Sequence, residues 1–294
     1  MKFNEKLKEL TDALEKADVF FGHGVDNAHD EAIRMIVYIT ERYDNPLWDE
    51  EVSDHHRWEL EELLKRRINE GKPLAYLTNQ AWFLGMPFYV DERVLIPRSP
   101  FAEWIESSFE PWVKPQSIKR ILEIGTGSGC MAIAAAMVFQ KAKVDAVDID
   151  SDALEVAAMN VKQYELEDRV NLIQSDCFEN VSRKYDLIIA NPPYVSDEEM
   201  AELPQEYSIE PRHALRADDE GLAIVLRILA EATTHLTKEG VIVVEVGHSD
   251  ETLQKRFPNI PFVWLEQQHG GQGLFIFTRK ELLKYEDQFK KGEV

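Results

Sequence analysis

Ile121-Leu122-Glu123-Ile124-Gly125-Thr126-Gly127-Ser128-Gly129 reads as a buried strand that breaks into a glycine-rich turn. A short apolar run ended by glycines has the length and punctuation of a strand. Glycine at alternate positions lets the backbone turn sharply and lets a ligand approach it closely. The spacing is G-x-G-x-G and differs from the G-x-G-x-x-G dinucleotide fingerprint. Glu123, at the strand end, repels a pyrophosphate and welcomes a cation such as the amino group of an amino acid. A glycine turn alone is a weak signal, so its surroundings decide.

Downstream of residue 118 the pattern is strand then helix, repeated. Strands are expected near 120–124, 143–147, 169–174, 185–190, 240–246, 261–266 and 273–278. Helices are expected near 129–139, 151–164, 220–236 and 249–256. Alternation at this spacing implies a parallel sheet covered on both faces. The last two strands, around Gly270-Gly271-Gln272-Gly273, are close enough for an antiparallel hairpin. The tail 281–294 is charged and is expected to fray.

Three more strands end in polar groups. Val144-Asp145-Ala146-Val147 delivers Asp148, where an acid accepts hydrogen bonds from ribose hydroxyls. The next strand is followed by Ser175-Asp176-Cys177-Phe178. There Asp176 can accept from an adenine amino group and Phe178 can pack near the ring. Tyr185-Asp186-Leu187-Ile188-Ile189-Ala190 runs into Asn191-Pro192-Pro193-Tyr194. Each proline lacks an N–H and pushes the residue before it toward extended backbone. The Asn191 side chain and the Pro192 carbonyl can then accept both hydrogens of a planar NH2 group, with Tyr194 over its face. All four sites lie at carboxyl ends of parallel strands, where open α/β sheets bind ligands.

Upstream, residues 1–70 read as helical. Leu7, Leu10 and Leu14 repeat at helical spacing, and a loop at Phe20–Asn27 precedes a helix over about 29–42 that Asp26 or Asn27 caps. A third helix covers about 53–70. His55 and His56 lie in it without a Cys or His cluster of ligand spacing, so no metal site is expected. Ala81-Trp82-Phe83-Leu84 and Phe88-Tyr89-Val90 read as a hairpin, with a helix from about 99. We divide the chain into a helical unit over 1–80, a β-hairpin linker over 81–100 and an α/β domain over 101–294.

The 294 residues are 44% hydrophobic and 30% charged, an ordinary globular balance. A net charge of −21 opposes tight binding to duplex nucleic acid, where Lys and Arg contacts to phosphate supply most of the affinity. It suits a basic protein partner or a cationic small molecule, and it also serves solubility. Cys130 and Cys177 imply no disulfide framework, Met1-Lys2-Phe3-Asn4 opens no signal peptide, and no apolar run reaches the length of a membrane span. A cytoplasmic protein is expected.

Glu123-x-Gly125-x-Gly127-x-Gly129, Asp148, Asp176 and Asn191-Pro192-Pro193-Tyr194 resemble the class I S-adenosylmethionine-dependent methyltransferases. The resemblance implies a Rossmann-like seven-stranded sheet. It also implies S-adenosylmethionine as cofactor, held by Glu123, Gly125, Thr126, Gly127, Ser128, Gly129, Asp148, Asp176, Cys177, Phe178 and Asn191. Within that class Asn-Pro-Pro-Tyr marks enzymes that methylate planar nitrogens, and it would make Asn191, Pro192, Pro193 and Tyr194 the catalytic loop. The helical N-terminal unit, Pro73-Leu74-Ala75-Tyr76-Leu77 and Val94-Leu95-Ile96-Pro97-Arg98 are similar to the HemK-like protein glutamine N5-methyltransferases. Phe21-Gly22-His23-Gly24-x-Asp26-Asn27 and Tyr76-Leu77-Thr78-Asn79-x-Ala81-Trp82-Phe83 resemble the branch that modifies a glutamine of large-subunit ribosomal protein L-three. Cys177 stands where the release-factor branch commonly has a bulkier aromatic, so adenine stacking would fall to Phe178 or elsewhere. The resemblance covers residues 15–280 and implies a basic protein substrate, with no DNA and no membrane as partner. The alternatives are a release-factor glutamine and a flipped adenine in DNA.

Overall fold

Four helices open the chain: α1 (Phe3–Lys16), α2 (Ala28–Thr40), α3 (Asp54–Glu70) and α4 (Leu74–Thr78). Asn27 accepts a hydrogen bond from the Asp30 N–H and Ser53 one from the His56 N–H, so each stops the helical donors from running out unpaired at its start. The leucines at helical spacing meet in one cluster, with Leu10, Leu14, Met35, Leu60 and Leu63 among its buried members. The computed structural model describes residues 1–43, 47–268 and 270–292.

The antiparallel hairpin follows as β1 (Gln80–Phe83) and β2 (Met86–Tyr89). It is not a free joint. The buried Asn160 side chain accepts from the Tyr89 N–H at 2.8 Å and donates to the Tyr89 carbonyl at 2.9 Å, and Tyr164 donates to the Pro87 carbonyl. Phe83 and Phe88 are buried in the core of the sheet domain. The hairpin is therefore packed as part of that domain.

The remaining elements are α5 (Phe101–Glu106), β3 (Arg120–Ile124), α6 (Cys130–Val138), β4 (Lys143–Asp148), α7 (Ser151–Gln163), β5 (Val170–Gln174) and β6 (Tyr185–Ala190). Then come α8 (Asp197–Glu202), α9 (Ala223–His235), β7 (Leu236–Glu245), α10 (Asp250–Arg256), β8 (Val263–Trp264), β9 (Leu274–Thr278), α11 (Arg279–Leu282) and α12 (Glu286–Lys291). The seven strands run in the order β5-β4-β3-β6-β7-β9-β8. The first five are parallel, and β9 lies antiparallel to both of its neighbours. Ile121 faces one core and Leu122 the other, which is why these strands read as continuous apolar runs. α6 is apolar on every side because it is enclosed between the sheet and α5. The strand order reverses between β3 and β6, and their carboxyl ends leave the crevice in which such sheets hold ligands.

The tail departs from expectation. α11 begins with Thr278 and Glu281 capping each other, and Phe289 of α12 is buried against Phe257, Phe262 and Phe277. Leu282 and Phe289 anchor the charged helices on the sheet, so the segment is ordered as far as Gly292. Glu293 and Val294 lie outside the described residues. Among the described residues no helix is long and apolar enough to cross a membrane.

Candidate active site

The carboxyl ends of β3, β4, β6 and β7 surround a cleft of about 800 Å³, within the roughly 300–1,000 Å³ of small-molecule sites. Its floor is the glycine turn. Glu123 is fully buried; its Oε2 accepts from the Thr126 hydroxyl at 2.6 Å, and among the described residues its Oε1 has no hydrogen-bond partner. Burial pushes the Glu123 carboxyl up to about 8. A cation placed at Oε1 would reverse that shift. Gly129 has φ +79°, and a Cβ there would stand 3.2 Å from the Ala157 Cβ, so glycine lets α6 start against α7. The Ser128 carbonyl is held by Asn160, the residue that also holds the hairpin.

Asp148 lines the cleft from the end of β4. Its Oδ2 accepts from the Gly127 N–H at 2.8 Å and its Oδ1 from the Asp150 N–H at 3.0 Å. Burial raises its carboxyl, and those two N–H groups pull it back down.

After β5 the structure separates one of four residues that the sequence set together from the other three. Ser175, Asp176 and Cys177 line the cleft. Arg227 donates to Asp176 Oδ2 at 2.7 Å, so this acid is already half of an ion pair. Phe178 does not line the cleft. It is 3% exposed and stacks on His235, with ring centroids 4.4 Å apart, in the core under α9. Cys177, at φ +48°, turns the chain so that the next side chain points away. The expectation that Phe178 packs on an adenine is thereby corrected.

Asn191 through Tyr194 all line the cleft. Among the described residues nothing hydrogen-bonds the Asn191 side chain or the Pro192 carbonyl. Tyr194 is tied down. Its hydroxyl donates to Glu245 Oε1 at 2.9 Å, and Ser99 donates to Glu245 Oε2. Burial lifts the Glu245 carboxyl to about 7, against the pull of those two donors. A Cβ on Gly247 would lie 2.4 Å from the Tyr194 ring, so glycine there makes room for the tyrosine. Glu245 and Ser99 were missed in the sequence. A signal existed for the first: Glu245-Val246-Gly247 ends β7 as Glu123-Ile124-Gly125 ends β3.

The far wall is the segment from Leu203 to Ala217. Val195 clamps it, accepting from the Ala217 N–H and donating to the Leu215 carbonyl, both at 2.9 Å. From this wall His213 reaches Asp150 at 2.9 Å, and Tyr207 packs under the Arg98 guanidinium at 5.2 Å.

The chain that builds this cleft is similar to known proteins. The family model of the methyltransferase small domain matches residues 111–218, from ahead of β3 to the end of the far wall. A ribosomal protein uL3 glutamine methyltransferase of Francisella tularensis is 42% identical over 279 residues, covering 93% of this chain and 89% of its own. A protein of the same name from Bordetella pertussis is 43% identical over 274 residues, covering 92% of each chain. The chain belongs to the uL3 glutamine methyltransferase family. A solved methyltransferase from Pyrococcus furiosus shares 20% identity at a TM-score of 0.49, over 66% of this chain and 89% of its own. For this methyltransferase the seven-stranded α/β architecture and the branch expected from Phe21–Asn27 and Tyr76–Phe83 both stand.

Proposed function

We propose that the protein transfers a methyl group from S-adenosylmethionine to the side-chain amide nitrogen of a glutamine in ribosomal protein uL3. The observation that carries this is the pair of unpartnered acceptors, the Asn191 side chain and the Pro192 carbonyl, at the cleft end of β6. The residues present fit the cofactor. Glu123, with its orphaned buried Oε1, would hold the amino group. The turn Gly125–Gly129 would lie against the amino-acid part, Asp148 would take the ribose hydroxyls, and Ser175 to Cys177 would border the adenine. When bound, S-adenosylmethionine supplies an electrophilic methyl group on a sulfonium.

The remaining work belongs to the chain's own residues. An amide nitrogen is a poor nucleophile because its lone pair is delocalised into the carbonyl. Asn191 and Pro192 accept from the NH2 group, concentrate electron density on nitrogen and stabilise the positive charge that develops there. Holding the amide in line is worth roughly 7–11 kcal/mol of a barrier of this kind. Tyr194, anchored by Glu245, holds the amide plane. The proton leaves the methylated, cationic nitrogen afterwards, so the site needs acceptors rather than a strong base. We assign substrate selection to the helical unit before residue 80 and the reaction to the cytoplasm. A net charge of −21 complements a basic protein.

The test is incubation of the purified protein with methyl-labelled S-adenosylmethionine and purified uL3, followed by peptide mapping. The expected result is one methyl group on a glutamine side chain. Label on a release factor or on DNA, with uL3 unmodified, would overturn the reading.

A further inference from the structure

The loop Phe20–Gly24 does not line the cleft, yet it packs against the cleft wall. Gly22 is required there, because a Cβ would lie 2.4 Å from the Phe20 ring folded back on it. That fold brings Phe20 edge-on to His23, with centroids 5.8 Å apart, and both rings pack on Tyr207 of the cleft wall at 5.6 and 4.7 Å.

Around this stack lies a buried set of charges drawn from three parts of the chain. Glu206 of the wall accepts from the Phe20 N–H at 2.8 Å and from Arg67 of α3 at 3.1 Å. Arg67 also grips Glu31 of α2 at 2.6 Å. Glu210 of the wall accepts from the Ile96 N–H at 3.0 Å and from both ends of the Arg98 guanidinium at 2.7 Å. Three carboxylates thus share two guanidinium groups. His23 sits between the two wall carboxylates, 3.9 Å from Glu206 and 3.5 Å from Glu210. It is 8% exposed, and among the described residues neither ring nitrogen has a hydrogen-bond partner. Native structures seldom leave buried polar groups so.

We propose that His23 is a positioning residue: seated between Glu206 and Glu210, it registers the N-terminal helices against the cleft wall, so that a protein held by those helices presents its glutamine to Asn191. The proposal rests on the function assigned above. It makes His23, the buried residue of the Phe21–Asn27 motif, an internal latch rather than part of a surface that reads the substrate. Tyr207 and Arg98 carry the register onward, since both line the cleft.

Two measurements test it on the full-length protein, comparing His23→Ala and His23→Gln with the parent. In hydrogen exchange, His23→Ala should speed the Phe20 and Ile96 amides about tenfold, because these donate to the two carboxylates His23 separates, while β3 and β6 amides stay unchanged. In kinetics with uL3, turnover per S-adenosylhomocysteine-binding site should fall about 5–10-fold, with KM and the affinity for S-adenosylhomocysteine unchanged. His23→Gln, which keeps a donor at this place, should recover most of the loss. Unchanged exchange at Phe20 and Ile96, equal acceleration across the sheet, or a glutamine variant as poor as alanine would overturn the proposal. If the parent itself leaves uL3 unmodified, the assigned function fails, and the exchange arm still decides the latch.

Discussion

At the scale of single residues, Asn191 separates the two halves of an amide. Asn191→Ala should leave the fold and most cofactor affinity intact and lower methyl transfer by about 10²–10³, as when one preorganised polar contact to a developing charge is removed. Asn191→Asp keeps the acceptor and the shape but adds a charge beside a cationic donor. We expect it to retain more activity than alanine in single-turnover rates at saturating cofactor. The reverse order would show that the Asn191 NH2 has an essential partner. Glu123 has its own signature. In the free protein burial holds its carboxyl neutral up to about pH 8. A cationic amino group at Oε1 favours the carboxylate, so binding expels the proton, and affinity falls as pH drops below about 8. Calorimetry near pH 7 in buffers of different ionisation heat should report close to one proton released, and none in Glu123→Gln.

At the scale of elements, the C-terminal helices show what short segments owe to packing. α12 spans only Glu286–Lys291 and would not persist alone in water, since a first helical turn fixes several residues for one hydrogen bond. It holds because Phe289 is 2% exposed and 5.2 Å from the Phe257 ring. Phe289→Ala should cost about 3–5 kcal/mol, the usual range for emptying a buried aromatic site, read as a lower urea midpoint at constant slope. A loss under about 1 kcal/mol would make α12 peripheral. The hairpin β1–β2 makes the same point from the other end. Asn160 joins Tyr89 to the Ser128 carbonyl, so the strand pair and the glycine turn share one side chain.

At the scale of the whole molecule, the hairpin sets where the protein can be divided. A chain starting at Lys72 keeps β1, β2 and the Asn160 contacts while losing α1 to α3 and with them Arg67 and His23. It should bind S-adenosylhomocysteine with affinity close to the parent, because among the described residues none before Arg93 lines the cleft. It should fail to methylate uL3. Retained transfer to intact uL3, measured with labelled cofactor, would show that the helices do not select the substrate.

What the sequence determined by itself is what local backbone rules control. Short apolar runs punctuated by glycine, proline or polar residues located every strand of the large sheet and the hairpin, and helical spacing located most of the helices. The glycine turn and Asn191–Tyr194 were placed at strand ends because glycine frees and proline restricts the backbone within a residue or two of itself, and Asp148 because it ends an apolar run. The short α12 was not legible, because Phe289 is the one apolar residue in Glu286–Lys291 and a single residue makes no helical stripe. The side chains that tune the site were decided by tertiary structure. Glu245 meets Tyr194 across 51 positions and Ser99 across 146, and Phe20 meets Glu206 across 186. Phe178 left the cleft because Cys177 turns the chain and the core under α9 takes the ring. Such pairings depend on how layers pack, and side chains that meet from opposite ends of a chain leave no periodicity in it.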